Sequence, residues 1–359
     1  MHSIRRALRW LLPLLLANAW SPGVPGQSIE TKRAPFSTLG KIERLDPALD
    51  DLIAPDAKME ILAEGFDWSE GPVWHSALGG LLFSDIPPNR VYLYRDGNPI
   101  KLFLSPSGYT GATPRGGEPG SNGLHLDRNG RLILMQHGDR RVAALAADSK
   151  SFETLADRFE GKRFNSPNDA TFKSNGDLYF TDPPYGLVKN VDDPAKELTF
   201  QGVYRLSQDG KVELLTKEMS RPNGIAFSPD EKTLYVANSD PASAIWMAYP
   251  VTTEGTIGLG KVFFDATPLV KAGRKGLPDG LKVDSKGNLF ATGPGGVLVF
   301  SPEAKHLGTL ETGEATANCA WGDDFSTLYI TADMYLARIR TKTKGHSPLG
   351  HSGARPSAK

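Results

Sequence analysis

The chain of 359 residues contains one cysteine, Cys319. A single thiol excludes an intramolecular disulfide and a thiolate zinc cluster. Its neighbours Ala317, Ala320 and Trp321 suit a buried small hydrophobe rather than a reactive nucleophile. An excess of charge of either sign is also missing, since 41 basic residues balance 41 acidic ones and no basic stripe appears. Nucleic acid is therefore a poor fit as a partner. Apolar runs stay short of the roughly 20 residues that span a bilayer. What is plentiful is glycine and proline, at 38 and 27 residues, beside an apolar content of 39%. That combination predicts a large core crossed by many turns rather than by long helices.

The N-terminus differs in character from the rest. A basic stretch, "MHSIRRALR", is followed by the apolar run "WLLPLLLANA" and the small-residue site Ala17-Asn18-Ala19. This reads as an export signal over residues 1–26, with Arg5-Arg6 loosely matching a twin-arginine signal. The mature protein is expected to be periplasmic or secreted, with no membrane segment once the signal is removed. Residues 27–57 are expected to form an irregular N-terminal segment. From 342 to 359 the polar, basic and Gly/Pro-rich composition predicts a flexible tail.

Between these ends one phrase recurs. A polar residue, commonly followed by Gly, opens a short apolar stretch; a polar turn and a second apolar stretch beginning at Leu follow. Six copies run from Glu70 to Leu81, Asn122 to Leu132, Asn168 to Leu178, Asn223 to Leu234, Asp279 to Leu289 and Asn318 to Leu328. Their starts lie 52, 46, 55, 56 and 39 residues apart. Stretches such as "GDLYF", "TLYVA" and "GNLFA" carry the aromatic and β-branched residues of strands, and "SNG" and "SKG" supply turns. Repeats of this length without helical periodicity predict an all-β fold, a six-bladed β-propeller with four-stranded antiparallel blades over 58–341. "KMEILAEGF" at 58–66 precedes the first copy and is expected to complete the last blade.

In a propeller the first strand of each blade lines the axis, so Glu70, Asn122, Asn168, Asn223, Asp279 and Asn318 should ring one mouth of the channel. Two carboxylates and four carboxamides offer hard oxygen donors suited to Ca²⁺, or to another divalent cation, and poorly suited to zinc. Asn-Gly and Asp-Gly are also common turn dipeptides, and a repeat fold reuses its turns whatever its function. Glu70, in "SEGPVW", is no turn former and favours the cation reading. Residues just past the second strands, Asp85, His137, Asp182 to Tyr185, Asn238 to Asp240, Thr292 and Asp333, are expected to rim a pocket above the ring. His137 is a candidate for hydrogen bonding or proton transfer, and Tyr185 after Pro-Pro for a stiff ligand wall.

Five motifs in order, "SEGPVW" (69–74), "SPND" (166–169), "TDPPYG" (181–186), "RPNG" (221–224) and "LPDG" (277–280), resemble the gluconolactonase / regucalcin (senescence marker protein) family. "TDPPYG" and "TANCAW" (316–321) look closer to its bacterial gluconolactonases. The resemblance covers nearly all of 60–340. It implies a six-bladed propeller with a divalent cation, usually Ca²⁺, at the channel mouth and hydrolysis of a small-molecule lactone. Carried over motif by motif, Glu70, Asn168, Asn223 and Asp279 become metal ligands, Asp279 also the catalytic base, and Asn122 and Asn318 substrate or water contacts. Ser166 stands where the animal members carry Arg, so their mode of sugar recognition does not transfer. The expected reaction is hydrolysis of a gluconolactone-like ester to the aldonic acid, with the cation polarising the carbonyl. Aryl-ester or phosphotriester hydrolysis at the same site, and a non-catalytic Ca²⁺-binding propeller, remain as alternatives.

Overall fold

The computed structural model describes residues 29–350; the expected signal at 1–26 lies outside them, as does 351–359 of the expected tail. Six antiparallel sheets stand around one axis. Blade 1 runs through Ser69–His75, Gly80–Asp85, Arg90–Tyr94 and Lys101–Leu104. Blade 2 has Ser121–Leu126, Leu132–Gln136, Arg141–Leu145 and Phe152–Ala156. Blade 3 has Ala170–Phe172, Leu178–Asp182, Gly202–Leu206 and Val212–Thr216, and blade 4 has Pro222–Phe227, Thr233–Asp240, Ser243–Pro250 and Lys261–Asp265. Blade 5 begins at Leu281–Val283, Leu289–Gly293, Gly296–Phe300 and His306–Glu311, and blade 6 at Thr316–Gly322, Thr327–Ala332 and Tyr335–Arg340. The fold is the six-bladed β-propeller that the repeat predicts.

Alternation of side chains explains why these strands look continuously apolar. In "LILMQ" of blade 2, Leu132 and Leu134 pack on Leu82 and Leu93 of blade 1. Ile133 and Met135 face the other way, onto Phe180 and Tyr204 of blade 3. A strand buried on both faces has no polar side to show. The same arrangement repeats between every adjacent pair of blades, including the last and first, where Trp74 stacks on Tyr329 with centroids 5.7 Å apart.

Glu60–Glu64 supplies the fourth strand of blade 6 by pairing with Tyr335–Arg340, which joins the two ends of the chain. Leu62 of this strand is fully buried in the cluster between blades 6 and 1. Leu62→Ala should therefore lower the unfolding free energy by about 3 kcal/mol. A denaturant midpoint unchanged from wild type would contradict the closing role.

Two expected irregular regions are more ordered than composition suggests. Within 27–57, Glu30–Thr31 and Lys41–Arg44 add fifth strands to blades 6 and 5, and Pro47–Asp51 forms a 3-10 turn that buries Leu49. Within the expected tail, Thr343 donates to Asp284 at 2.7 Å, and the Gly345 N–H donates to Phe325 O at 2.8 Å. Gly345 lies flat on Trp321, where a Cβ would come within 1.9 Å of the indole. Tertiary hydrogen bonds hold these polar segments where local composition could not. Among the described residues no helix is long and apolar enough to cross a membrane.

Candidate active site

The six repeated polar residues gather at the axis, and the backbone shows how. In blades 2 and 4 the register of the first two strands slips across Asn122-Gly123 and Asn223-Gly224, in blade 1 just after Glu70 and in blade 6 just before Asn318. In blades 3 and 5 the first strand starts only after Asn168-Asp169 and Asp279-Gly280. Such an irregularity re-aims one side chain out of the alternating pattern. None of these dipeptides is a hairpin turn, so their recurrence is not a reuse of turn chemistry.

Glycine follows the ring residue because the next blade comes too close for a side chain. A Cβ on Gly71 would lie 2.0 Å from Asn122 O, one on Gly224 2.1 Å from Asp279 O, and one on Gly280 2.0 Å from the Asn318 carboxamide. Asn122, Asn168, Asp279 and Asn318 thus press on the glycine of the preceding blade. Blades 3 and 6 depart from the pattern, blade 6 with Cys319 and blade 3 with Asp169, whose carboxylate enters the axis.

Four side-chain oxygens in the ring, Oδ1 of Asn122, Asn168, Asn223 and Asp279, are buried without a hydrogen-bond partner. Unpaired buried acceptors are costly and rare, and four at one place call for a ligand that supplies positive charge or protons. Glu70 Oε2 accepts from the Gly71 N–H and from Asn318 Nδ2 at 3.2 Å. Hard oxygens with buried carboxylates fit a hard divalent cation. Among the described residues no three His, Cys, Asp or Glu side chains gather in metal-binding geometry, so an ion here must draw on the carboxamides.

Electrostatics agree with a missing positive charge. Burial, and then the neighbouring Asp169 carboxylate, push Glu70 up to about 8. Burial also raises Asp279, helped by the charges of Glu70, Asp169 and Glu118 and opposed by a hydrogen bond from Asn223. Asp169 goes the other way. Its burial would raise it, but the Lys282 ammonium and the bond to His125 at 3.0 Å outweigh that and hold it below the usual carboxylate value.

These shifts fix the sign of a pH effect. Without a cation, the folded chain keeps a proton on Glu70 up to about 8, whereas the unfolded chain releases it near 4.5. Stability of the chelated protein should therefore fall as pH rises between those values, by at most about 1.4 kcal/mol per unit for one group. Thermal melts of chelated protein at pH 5 and pH 8 test this. A melting temperature that is flat or rises over that range would contradict it.

The expected rim is built differently from its sequence reading. His137 is buried, with Nε2 3.3 Å from Asn168 Nδ2 and Nδ1 3.1 Å from Glu118 Oε2, though out of hydrogen-bond alignment with the latter. The Tyr185 hydroxyl donates to Ser239 O at 3.3 Å, and burial raises its pKa. Both stand beside the ring. Asp85, Asp182, Asn238 and Thr292 instead turn into the backbone of their own blade, Thr292 also reaching the next one. Asp85 accepts from the Trp68 N–H at 2.9 Å, Asp182 from Asn165 and Ser166, and Asn238 from Arg221 at 2.9 Å. Thr292 donates to Gly280 O and Ala317 O, both at 2.8 Å. They clamp the segments that carry the ring residues and do not face a ligand.

The match to known proteins follows this geometry. Residues 68–333 match the family described as SMP-30/Gluconolactonase/LRE-like region. The chain belongs to that family. It is 40% identical over 320 residues to a gluconolactonase of Zymomonas mobilis, covering 86% of this chain and 88% of the relative. A solved gluconolactonase of Xanthomonas campestris superposes with TM-score 0.74 at 30% identity, covering 86% of this chain and 98% of the other. A pentonolactonase of Haloferax volcanii is 27% identical over 269 residues, covering 73% and 80%. This member of the SMP-30/gluconolactonase family is a lactonase.

Four residues that sequence reasoning passed over stand beside or beneath the ring. Glu118 reaches His137 from the long loop after blade 1, and Arg115 pins that loop by donating to Gly138 O at 2.8 Å and to Gly186 O. Asp169 and Lys282 lie beneath the ring. Asp169 was legible as a charge where four of the six blades carry glycine, and Lys282 as a charge in an inner strand, "LKV". Nothing in the sequence marked Glu118.

Proposed function

We propose that the protein hydrolyses a gluconolactone-like sugar lactone to the aldonic acid, using a divalent cation, Ca²⁺ in the first instance, held by Glu70, Asn168, Asn223 and Asp279. The observation that carries this reading is the set of unpaired buried oxygens converging on one axis. Membership in a lactonase family supports the reaction class, and the gluconolactonase relatives support the substrate class.

A divalent cation at this site supplies Lewis-acid stabilisation of the charge that develops on an ester carbonyl. The chain's own residues do the rest. Asp279 stands at the mouth with Oδ1 unpaired, placed to accept a proton from an attacking water. His137 steadies the Asn168 amide at Nδ2 and leaves Asn168 Oδ1 directed to the ligand. Asn122 offers an unpaired oxygen from the neighbouring blade. Tyr185, anchored on Ser239, gives the pocket a fixed wall. Export is part of the proposal, supported by the basic and apolar character of 1–26.

The test is acid release from glucono-1,5-lactone by purified protein, corrected for spontaneous ring opening, after chelation and again after Ca²⁺ is restored. Activity should vanish and return. Turnover that survives complete chelation would contradict the cation's part. Hydrolysis of an aryl ester or a phosphotriester in preference to any sugar lactone would contradict the substrate class.

A further inference from the structure

Beneath the ring, toward an axial cavity of about 150 Å³ lined by Lys282, His125 and the inner strands, lies a charged layer that the proposed reaction does not use. Lys282 Nζ donates to Leu281 O at 3.0 Å and to Asn318 Oδ1 at 3.4 Å. Asn318 Oδ1 also accepts the Cys319 N–H at 2.9 Å, so the oxygen end of this carboxamide is engaged below the ring. Its Nδ2 therefore points at two carboxylates, Glu70 Oε2 at 3.2 Å and Asp169 Oδ2 at 3.4 Å. Asp169 is held in turn by the Ala170 N–H at 2.8 Å and by His125. Both ends of the Asn318 side chain hydrogen-bond within the protein.

Charge follows from the same contacts. Glu70, Asp169 and Asp279 bring three buried carboxylates to the axis, and Lys282 brings one ammonium. With the carboxylates ionised, these groups carry two net negative charges, the complement of a divalent cation. Glu118 contributes less, because its side chain is 37% exposed at the rim and screened by solvent. We propose that Lys282 is a built-in counter-charge that tunes this centre to divalent rather than trivalent cations, with Asn318 as the positioning residue that links its ammonium to Glu70. This rests on the reading of the ring as a cation site. It goes further by assigning the charge selectivity of that site to residues that would not touch the ion.

The test compares binding of Ca²⁺ and Tb³⁺ to chelated full-length protein by calorimetry, for wild type, Lys282→Met, Asp169→Asn and the double variant. Removing the ammonium should raise the ratio of Tb³⁺ to Ca²⁺ affinity on the order of tenfold, because the extra charge of the ion meets one more unbalanced carboxylate. Asp169→Asn should lower the ratio by a similar factor. The double variant restores a net charge of two negative units and should return to within about threefold of wild type. His125 is bonded to Asp169, so its contribution is constant within each Lys282→Met step, with or without the Asp169 carboxylate. If Lys282→Met alone fails to fold, the step from Asp169→Asn to the double variant carries the same charge change and the same expected rise. An unchanged ratio in that step and in Lys282→Met overturns the role of Lys282. A wild type that binds neither ion overturns the cation reading and this proposal with it.

Discussion

Asp279→Asn is expected to reduce lactone turnover by about a thousandfold or more while leaving the fold intact. The substitution keeps the shape of the side chain and an oxygen for a cation, but removes the group that accepts a proton. Asp279 closes no backbone turn through its free Oδ1, so no structural hydrogen bond at that atom is lost. Its carboxylate is disfavoured by burial and by Glu70 and Asp169, so the neutral amide should hold or raise the melting temperature. Measurement of kcat by acid release, with a thermal melt on the same sample, separates the two effects. A variant that retains more than about a tenth of wild-type turnover would remove Asp279 from the chemistry.

Glu70→Gln should act on binding and stability in opposite directions. Gln presents an oxygen to the Gly71 N–H and to Asn318 as Glu does, so local packing is kept. One of the charges that draws a cation is lost, and Ca²⁺ affinity should fall by about a hundredfold or more. In the absence of a cation the same change removes a buried carboxylate whose pKa is pushed to about 8. Chelated Glu70→Gln should then be more stable than chelated wild type at pH 8, by about 2 kcal/mol, with little difference at pH 5. Calorimetric titration and paired melts at the two pH values check both halves. A variant that binds Ca²⁺ as tightly as wild type, or is less stable when chelated at pH 8, would contradict the site.

Much of this was readable before any coordinates, because repetition amplifies weak local signals. One "NLFA" is an ordinary strand; six such stretches 10 or 11 residues after a polar residue are a propeller. Ring membership was legible for the same reason, since equivalent positions in equivalent blades must converge. Side-chain direction was not. Asp85, Asp182 and Asn238 sit at the expected end of their strands, yet each bends back to backbone N–H groups that need an acceptor more than the solvent does. Glycine after the ring residue suggested a turn, and its actual cause, a neighbouring carbonyl about 2 Å from where Cβ would be, exists only once the blades have closed. Glu118, Lys282 and Asp169 acquire their meaning from contacts between blades 1 and 2, 5 and 6, and 6 and 3. The first two join neighbouring blades and the third crosses the axis, and the sequence shows the Asp169 and Lys282 charges without their partners.

The central claim is that the oxygens of the ring hold one divalent cation at the mouth of the channel. Anomalous diffraction from a crystal equilibrated with Mn²⁺ tests it most directly. The account predicts a single strong peak on the axis, within bonding distance of Glu70, Asn168, Asn223 and Asp279, that disappears in Glu70→Gln. No peak there, or a peak bound elsewhere while the four side chains stay unliganded, would contradict it.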